Sequence, residues 1–482
     1  MAYRYGDRYQ TTMFPESIED YVSAHDPVRA YDAFVEAIDL SSTGIPLDSN
    51  QVGNPEYDPK AMVKLLLYGY SYGIRSSRKL ERAIHHNVSF IWLMGGLQPD
   101  HKTIALFRMN NKEALARILK ECARLCIKLG LIEGNTLFVD GSKIRANASI
   151  NNTWTAEKAA RCLQKVDRRI NEILNECAAT DAQEQHADSL VKLKEELANK
   201  EALKSTIESI VKELKNEQKK SLNTVDPECV KIKGRQGTHA GYNGQVVVDK
   251  KHGLIVNTDV VNDSNDSRQF ASQIEQANET IKAAGRHPGG CVAACGDAGY
   301  ANTEQLKKID DAGIAVIVPS QKQAAHDRKV SAFSKERFTY NAAKDCYLCP
   351  AGQEIERSHV SLVKRHILYR FKDAALCRNC RHYGVCTTSQ RGRAIIRLIE
   401  EETKVKLERY YRTPEAQEVY ALRKQKVELP FGHMKRNLGV TSFLLRGLRG
   451  VNAEMSLLGT CFNIARMITL LGVGPLSSGL CC

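Results

Sequence analysis

Two aspartates stand where an apolar, strand-like run gives out: Asp140 in LFVDGSK and Asp297 in AACGDAGY. A carboxylate at a strand end sits on a rigid support yet faces the crevice where ligands of α/β sheets bind. Gly141 follows the first, and Gly296 and Gly299 flank the second, leaving room for a bulky substrate and a hydrated ion. Glu428, in a segment dense in Arg and Lys, is a third acid of interest. A single Asp at a strand end more often shapes a turn, so the weight falls on the set. The chemistry that suits three converging carboxylates is displacement at a phosphodiester. Attack on phosphorus builds charge on the attacking and leaving oxygens, and two Mg²⁺ (or Mn²⁺) ions about 4 Å apart can clamp both. Mg²⁺ prefers carboxylate oxygen and keeps waters, so few protein ligands suffice. Asp226, Asp249, Asp259 and Asp263 rank lower; Asp226 precedes Pro227 and reads as a turn residue, Asp249 as a hairpin residue.

A second constellation is made of thiols. CYLCP gives Cys346-x2-Cys349, and CRNCRHYGVC gives Cys377-x2-Cys380-x5-Cys386. Two CxxC knuckles across a loop can close a tetrahedral thiolate site, so Zn²⁺ is a strong candidate, with His382 as a substitute ligand. An iron–sulfur cluster would also accept four cysteines, and unligated buried thiols are the plain alternative. Zinc here would be structural, pinning an insertion with too few apolar residues to hold itself. Arg378, Arg381, Arg391 and Arg393 would then be free to face a polyanion.

Composition narrows the partners. Lys and Arg exceed Asp and Glu by 69 to 56, a formal +13, which favours a polyanion such as nucleic acid. The opening MAYRYGDRYQTTMF lacks the pattern of a secretory signal, and no apolar run is long enough to span a bilayer. The fifteen cysteines, odd in number, then read as thiols or metal ligands in a reducing, cytoplasmic setting. The final Cys481 and Cys482 match no prenylation pattern.

These residues need elements to position them. Residues 1–134 read as helical: Asp58–Pro59 caps AMVKLLLYGYSYGI, Ser76 or Ser77 caps the next helix, and Asp100 caps a third that stops at Gly130. Short turns and interspersed basic residues suit a helix-turn-helix-like DNA-binding module, the bland alternative being a bundle with solvated basic faces. At Asn135 the pattern turns strand-like. From 155 to 222, Leu163, Val166, Ile170 and Ile173 recur three and four apart, as do Leu190, Leu193, Leu197 and then Ile207, Ile210, Leu214. ATDAQEQHADS can turn the chain between them, predicting an antiparallel helical hairpin inserted in the fold. Beyond it, β-rich runs either side of Asp249–Gly253, a helix closed by Gly285, and the strand–helix–strand order of VAAC, TEQLKKIDDAG and IAVIVP predict a mixed sheet covered by helices. Residues 331–393 form the Cys-rich insertion. Residues 401–439 read as helix broken near Pro430, and NAEMSLLGTCFNIARMITLLG as an apolar helix on the core.

The order VDGSKIRANAS, GYNGQVVVD, GDAGY and then Tyr420-x2-Arg423-x4-Glu428-x6-Lys435, followed by NLGVTSFLLRGL, resembles the DDE transposases of bacterial insertion sequences. It is most similar to the insertion sequence 1182 group within the larger IS4- and IS5-like superfamily. Ser142 stands where Thr is more usual, and the glycine after Asn243 is less typical; neither change removes a carboxylate. The resemblance runs over nearly the whole chain and implies an α/β, RNase H-like core built from 135–154, 223–330 and 394–475, with Asp140, Asp297 and Glu428 as its acid triad. Tyr420, Arg423, Lys435 and Arg436 would position DNA. The implied activity is metal-dependent cleavage and strand transfer of double-stranded DNA at the element's inverted repeats and at a target, by a homodimer in the nucleoid. A nuclease or resolvase that cuts without transfer, and an inactive DNA-binding protein, are the competing readings.

Overall fold

The computed structural model describes residues 17–47, 56–181, 187–216, 219–234, 237–285, 289–325 and 332–480; side chains of 178–190 lie outside the description. The opening segment, most of the turn between the hairpin arms, and Cys481–Cys482 therefore fall outside it. The chain forms two compact units. One comprises residues up to 266 with 272–291 and 423 onward; the other comprises 267–271 and 292–422.

The first unit opens with helices α1 (Val28–Ala37), α2 (Leu40–Thr43), α3 (Pro59–Ser71), α4 (Ser77–His86), α5 (Val88–Leu93), α6 (His101–Asn110) and α7 (Lys112–Lys128). Their starts follow local chemistry. Asp58 accepts the Lys60 and Ala61 amides at 2.9 and 3.3 Å with Pro59 in the first turn, and Asp100 accepts the Thr103 amide at 2.7 Å.

Strand β1 (Thr136–Arg145) follows. Next come the two-residue strand β2 (Thr153–Trp154), helices α8 (Ala156–Asp181) and α9 (Ala187–Asn216), and β3 (Leu222–Asn223), which pairs antiparallel with β2. Helices α8 and α9 run antiparallel: Asp167 meets Lys204 at 2.8 Å while Arg169 meets Glu196 at 3.0 Å. Leu163, Val166 and Ile170 from one arm pack with Ile207 and Val211 from the other, so the apolar spacing serves the hairpin's own core.

The sheet of this unit is built on β5 (Gly237–Asp249). Strand β1 lies antiparallel along one edge, from Leu137 opposite Asp249 to Arg145 opposite Gly241. The other edge is shared by β4 (Val230–Gly234) and β6 (Ile255–Val261), both antiparallel. Residues 240–249 of β5 are all buried, as a strand covered on both faces must be. The β5–β6 turn closes on Gly253, whose φ of +68° suits glycine. Asp249 accepts the Gly134 and Lys251 amides, both at 2.8 Å, and burial pushes its carboxyl pKa up. Helix α10 (Phe270–Ala283) follows β6 and begins in the other unit.

The second unit carries β7 (Ala293–Cys295), α11 (Thr303–Asp311) and β8 (Ala315–Ile317), with β7 and β8 parallel, then α12 (Gln321–Ala324). A five-stranded antiparallel meander follows: β9 (Thr339–Asn341), β10 (Cys346–Leu348), β11 (Glu354–Ser361), β12 (His366–Arg370) and, beyond α13 (Ala374–Arg378), β13 (Ala394–Leu398). This corrects the expectation that the Cys-rich segment cannot support itself. Phe338, Tyr347, Ile355, Tyr369 and Ile395 make a buried core.

Helices α14 (Glu401–Tyr411), α15 (Pro414–Arg436), α16 (Gly447–Leu471) and α17 (Val473–Leu480) complete the chain. The break expected at Pro430 does not occur: α15 runs through it. Proline forfeits the amide bond to residue 426, but Val427, Pro430, Phe431 and Met434 are all buried, and that packing offsets the loss. From Arg423 onward α15 belongs to the first unit. Helix α16 is almost wholly buried and packs on α3, α7 and β6. Gly459 lets it approach, since a Cβ there would stand 3.2 Å from both Leu119 and Thr258. Among the described residues no single helix is long and apolar enough to cross a membrane.

Candidate active site

Asp140 lies midway along β1, opposite Val246 of β5, with its side chain 21% exposed. The three residues before it, Leu137 to Val139, are buried, and they fix the strand from which the carboxylate emerges. Its Oδ1 accepts the Gly141 amide at 3.0 Å and stands 3.9 Å from Arg423 Nη1. Lys435 Nζ, three turns further along α15, donates to Ser142 Oγ at 2.6 Å and lies 5.9 Å from the Phe431 ring centroid. The helix is thus tied to β1 by two cationic side chains, one on either side of Glu428 in sequence. Seven residues on a continuous helix amount to nearly two turns, so Glu428 and Lys435 project from one face. Glu428 is exposed, as are Lys435 and Arg436.

Sequence reasoning passed over a polar nest beside Asp140. Asp266 accepts Asn243 Nδ2 at 2.7 Å, Gln245 Nε2 at 2.8 Å and Lys143 Nζ at 3.1 Å. Asn243 and Gln245 are fully buried and share one face of β5. Gly141 leaves room for this nest: a Cβ would stand within 2.6 Å of both Gln245 Nε2 and Asp266 Oδ1, so both side chains would have to shift. A signal was available, since two amides at alternate positions of an otherwise apolar strand call for a buried polar partner.

In the second unit Asp297 follows β7 and caps the 3₁₀ turn Ala298–Tyr300, accepting the Gly299 amide at 2.7 Å. Gly296 packs against Phe270 and Tyr300, whose rings lie 6.0 Å apart. Tyr420 is half-buried and stands edge-on to Tyr411 at 5.1 Å. The lower-ranked acids have structural partners: Asp226 accepts Tyr242 Oη at 2.7 Å and Asp259 accepts Gln273 Nε2 at 2.9 Å.

Among the described residues no three His, Cys, Asp or Glu side chains stand in metal-holding geometry, and no zinc site is formed as the thiols stand. Cys349, Cys377, Cys380 and Cys386 do line one cavity together with His382. Cys346 is not among the residues lining it; it is buried in β10, paired with Asn341 and Glu356.

A mixed α/β chain with an acid-bearing strand tied to an acid-bearing basic helix is the arrangement found, and two family models match it. Residues 16–110 match a transposase domain (DUF772), and residues 348–468 match a transposase DDE domain. Together they support a DDE transposase. The second match takes in Glu428, Tyr420, Arg423, Lys435 and four cysteines of the cluster, while Asp140 and Asp297 precede it. No curated protein matches the chain.

Proposed function

We propose that this chain cuts and joins DNA at the ends of its own mobile element through Asp140, Asp297 and Glu428, the carboxylates of an RNase H-like core of the insertion sequence 1182 type. The observation that carries the reading is the seating of α15 on β1, with Arg423 3.9 Å from Asp140 and Lys435 2.6 Å from Ser142. It holds two of the three acid-bearing elements against each other in a basic setting. Asp140 and Asp297 are partly exposed and Glu428 exposed, and each offers the hard oxygen that Mg²⁺ or Mn²⁺ takes. Bound there, such ions would sharpen the attacking oxygen and stabilise the leaving one.

The chain's own residues do the rest. Arg423 balances Asp140 and, through its planar fork, can meet two oxygens of one phosphate. Lys435 and Arg436 add point charge along the backbone of the bound strand. The net charge of +13 suits a DNA partner, and the helices of the first 134 residues are the natural site for end recognition. Holding two ends at once calls for two copies, hence a homodimer on DNA, acting in the nucleoid.

The test uses full-length protein, Mg²⁺ and labelled duplexes carrying the element's inverted ends. The expected outcome is cleaved ends together with joined products. Asp140→Ala, Asp297→Ala and Glu428→Ala should each abolish both while band-shift binding persists. Cleavage without joining would replace the proposal with a nuclease or resolvase, and binding without cleavage with an inactive DNA-binding protein. Normal cleavage by one variant would remove that acid from the set.

A further inference from the structure

The connection 371–393 between β12 and β13 has almost no core of its own. Within it only Cys377 and Gly392 are buried, while Leu376 and Val385 are 52% and 76% exposed. Its regular structure is one five-residue helix, α13. Connections this long are uncommon in compact folds; this one packs on the meander core through the partly buried Phe371 and Cys386, which leaves the stretch between them to be fixed by a further interaction. Its three cysteines face a cavity of about 30 Å³, and Cys349, from the turn after β10, lines the same space. All four are free thiols.

We propose that Cys349, Cys377, Cys380 and Cys386 hold one structural Zn²⁺ ion that staples this connection to the meander. The backbone is already arranged around the sulfurs. The Arg393 amide donates to Cys377 Sγ at 3.3 Å, which fixes where that sulfur points. Gly392, at φ +75°, makes that approach feasible: a Cβ there would stand 3.1 Å from Cys377 Cβ. The Arg393 guanidinium donates to the Cys386 carbonyl at 3.3 Å, putting positive charge beside a site that four thiolates and one Zn²⁺ would leave at a net −2.

The ligand set is narrower than the six residues legible in the sequence. Cys346 does not line the cavity. His382 does, but its ring packs on Phe333 at 4.9 Å and its Nε2 meets Arg381 Nε at 3.1 Å. The cavity has room for about one water-sized body, which suits a single ion. The thiols do not yet converge on a point; drawing four sulfurs to about 2.3 Å from one centre is the contraction that binding would supply.

Metal analysis of the full chain, purified with and without added Zn²⁺, tests this directly. About one zinc per chain and no iron is expected, with Co²⁺ substitution giving thiolate-to-cobalt charge-transfer absorption. Cys380→Ser and Cys386→Ser should lose the metal, while Cys346→Ser and His382→Ala keep it. Should the serine variants fail to fold, alkylation of the wild type replaces them. The four thiols should be protected until chelator is added, with the half-exposed Cys162 and Cys177 reacting throughout. A zinc-free wild type, a disulfide among the four, equal labelling with and without chelator, or zinc loss in Cys346→Ser would each overturn the proposal. The result is independent of whether the carboxylates cut DNA.

Discussion

Glu454 is the most exacting place to perturb the first unit. It is fully buried on α16, pairs with Arg75 at 2.7 Å, and accepts the Leu444 and Leu445 amides at 2.8 and 3.0 Å. Arg75, itself 10% exposed at the side chain, also donates to the Ser442 carbonyl at 2.9 Å. The same loop seats the end of β1, because the Phe443 amide donates to the Arg145 carbonyl at 2.9 Å. Glu454→Gln preserves shape and an acceptor for the two amides but leaves Arg75 buried without its counter-charge. Breaking a buried pair from one side costs about 3–5 kcal/mol. Replacing both partners, as in Arg75→Met with Glu454→Gln, should recover about half of that, because no uncompensated charge remains. Urea unfolding read through Trp92 and Trp154 would measure Glu454→Gln, Arg75→Met and the double variant. A loss below about 1 kcal/mol for Glu454→Gln, or a double variant as unstable as the sum of the singles, would refute the reasoning.

Other outcomes follow from the same geometry. Asp266→Ala strips three donors of their acceptor beside Asp140, so cleavage should fall by about tenfold or more through misplacement, with DNA binding retained; unchanged cleavage would reduce Asp266 to a spectator. Gly141→Ala should do the same, since its Cβ would make Gln245 and Asp266 shift, and a fully active variant would show the nest to be deformable. Burial lowers the pKa of His433, His252 and His239 below the ordinary 6.5, helped for His239 by Arg145 and for His252 by Lys251. The unfolded chain therefore takes up protons first. Stability should be complete above about pH 6.5 and decline as pH falls toward the folded-state values; a urea midpoint flat from pH 7.5 to 5.5 would contradict this.

Much of the helical and strand scaffold is readable from local signals. Asp58–Pro59 and Asp100 announce helix starts because capping is a property of a few adjacent residues. The β5–β6 hairpin is legible because Gly253 and the Val runs on either side are close in sequence. The five-stranded meander is not legible, and its core shows why: Tyr347, Ile355, Tyr369 and Ile395 come one to a strand, so no strand carries a visible alternation. Pro430 misleads for a related reason, since propensity is local and the burial that overrides it is not. At the site, the two tethers of α15 join residues more than 280 positions apart in sequence, a proximity no spacing pattern encodes. The Asp266 nest was missed because Lys143, Asn243 and Gln245 meet it only once β1 and β5 have paired. Among the thiols, spacing marked the knuckles but could not tell that Cys346 does not line the cavity.

Iron-mediated cleavage of the polypeptide tests the central claim most directly. Fe²⁺ placed in the Mg²⁺ site, with ascorbate and peroxide, cuts backbone only within reach of the bound ion. If Asp140, Asp297 and Glu428 share divalent ions, fragments should end near all three residues, disappear with excess Mg²⁺, and be lost together in Asp140→Ala. Cuts near only one of them, or fragments indifferent to Mg²⁺, would contradict the account.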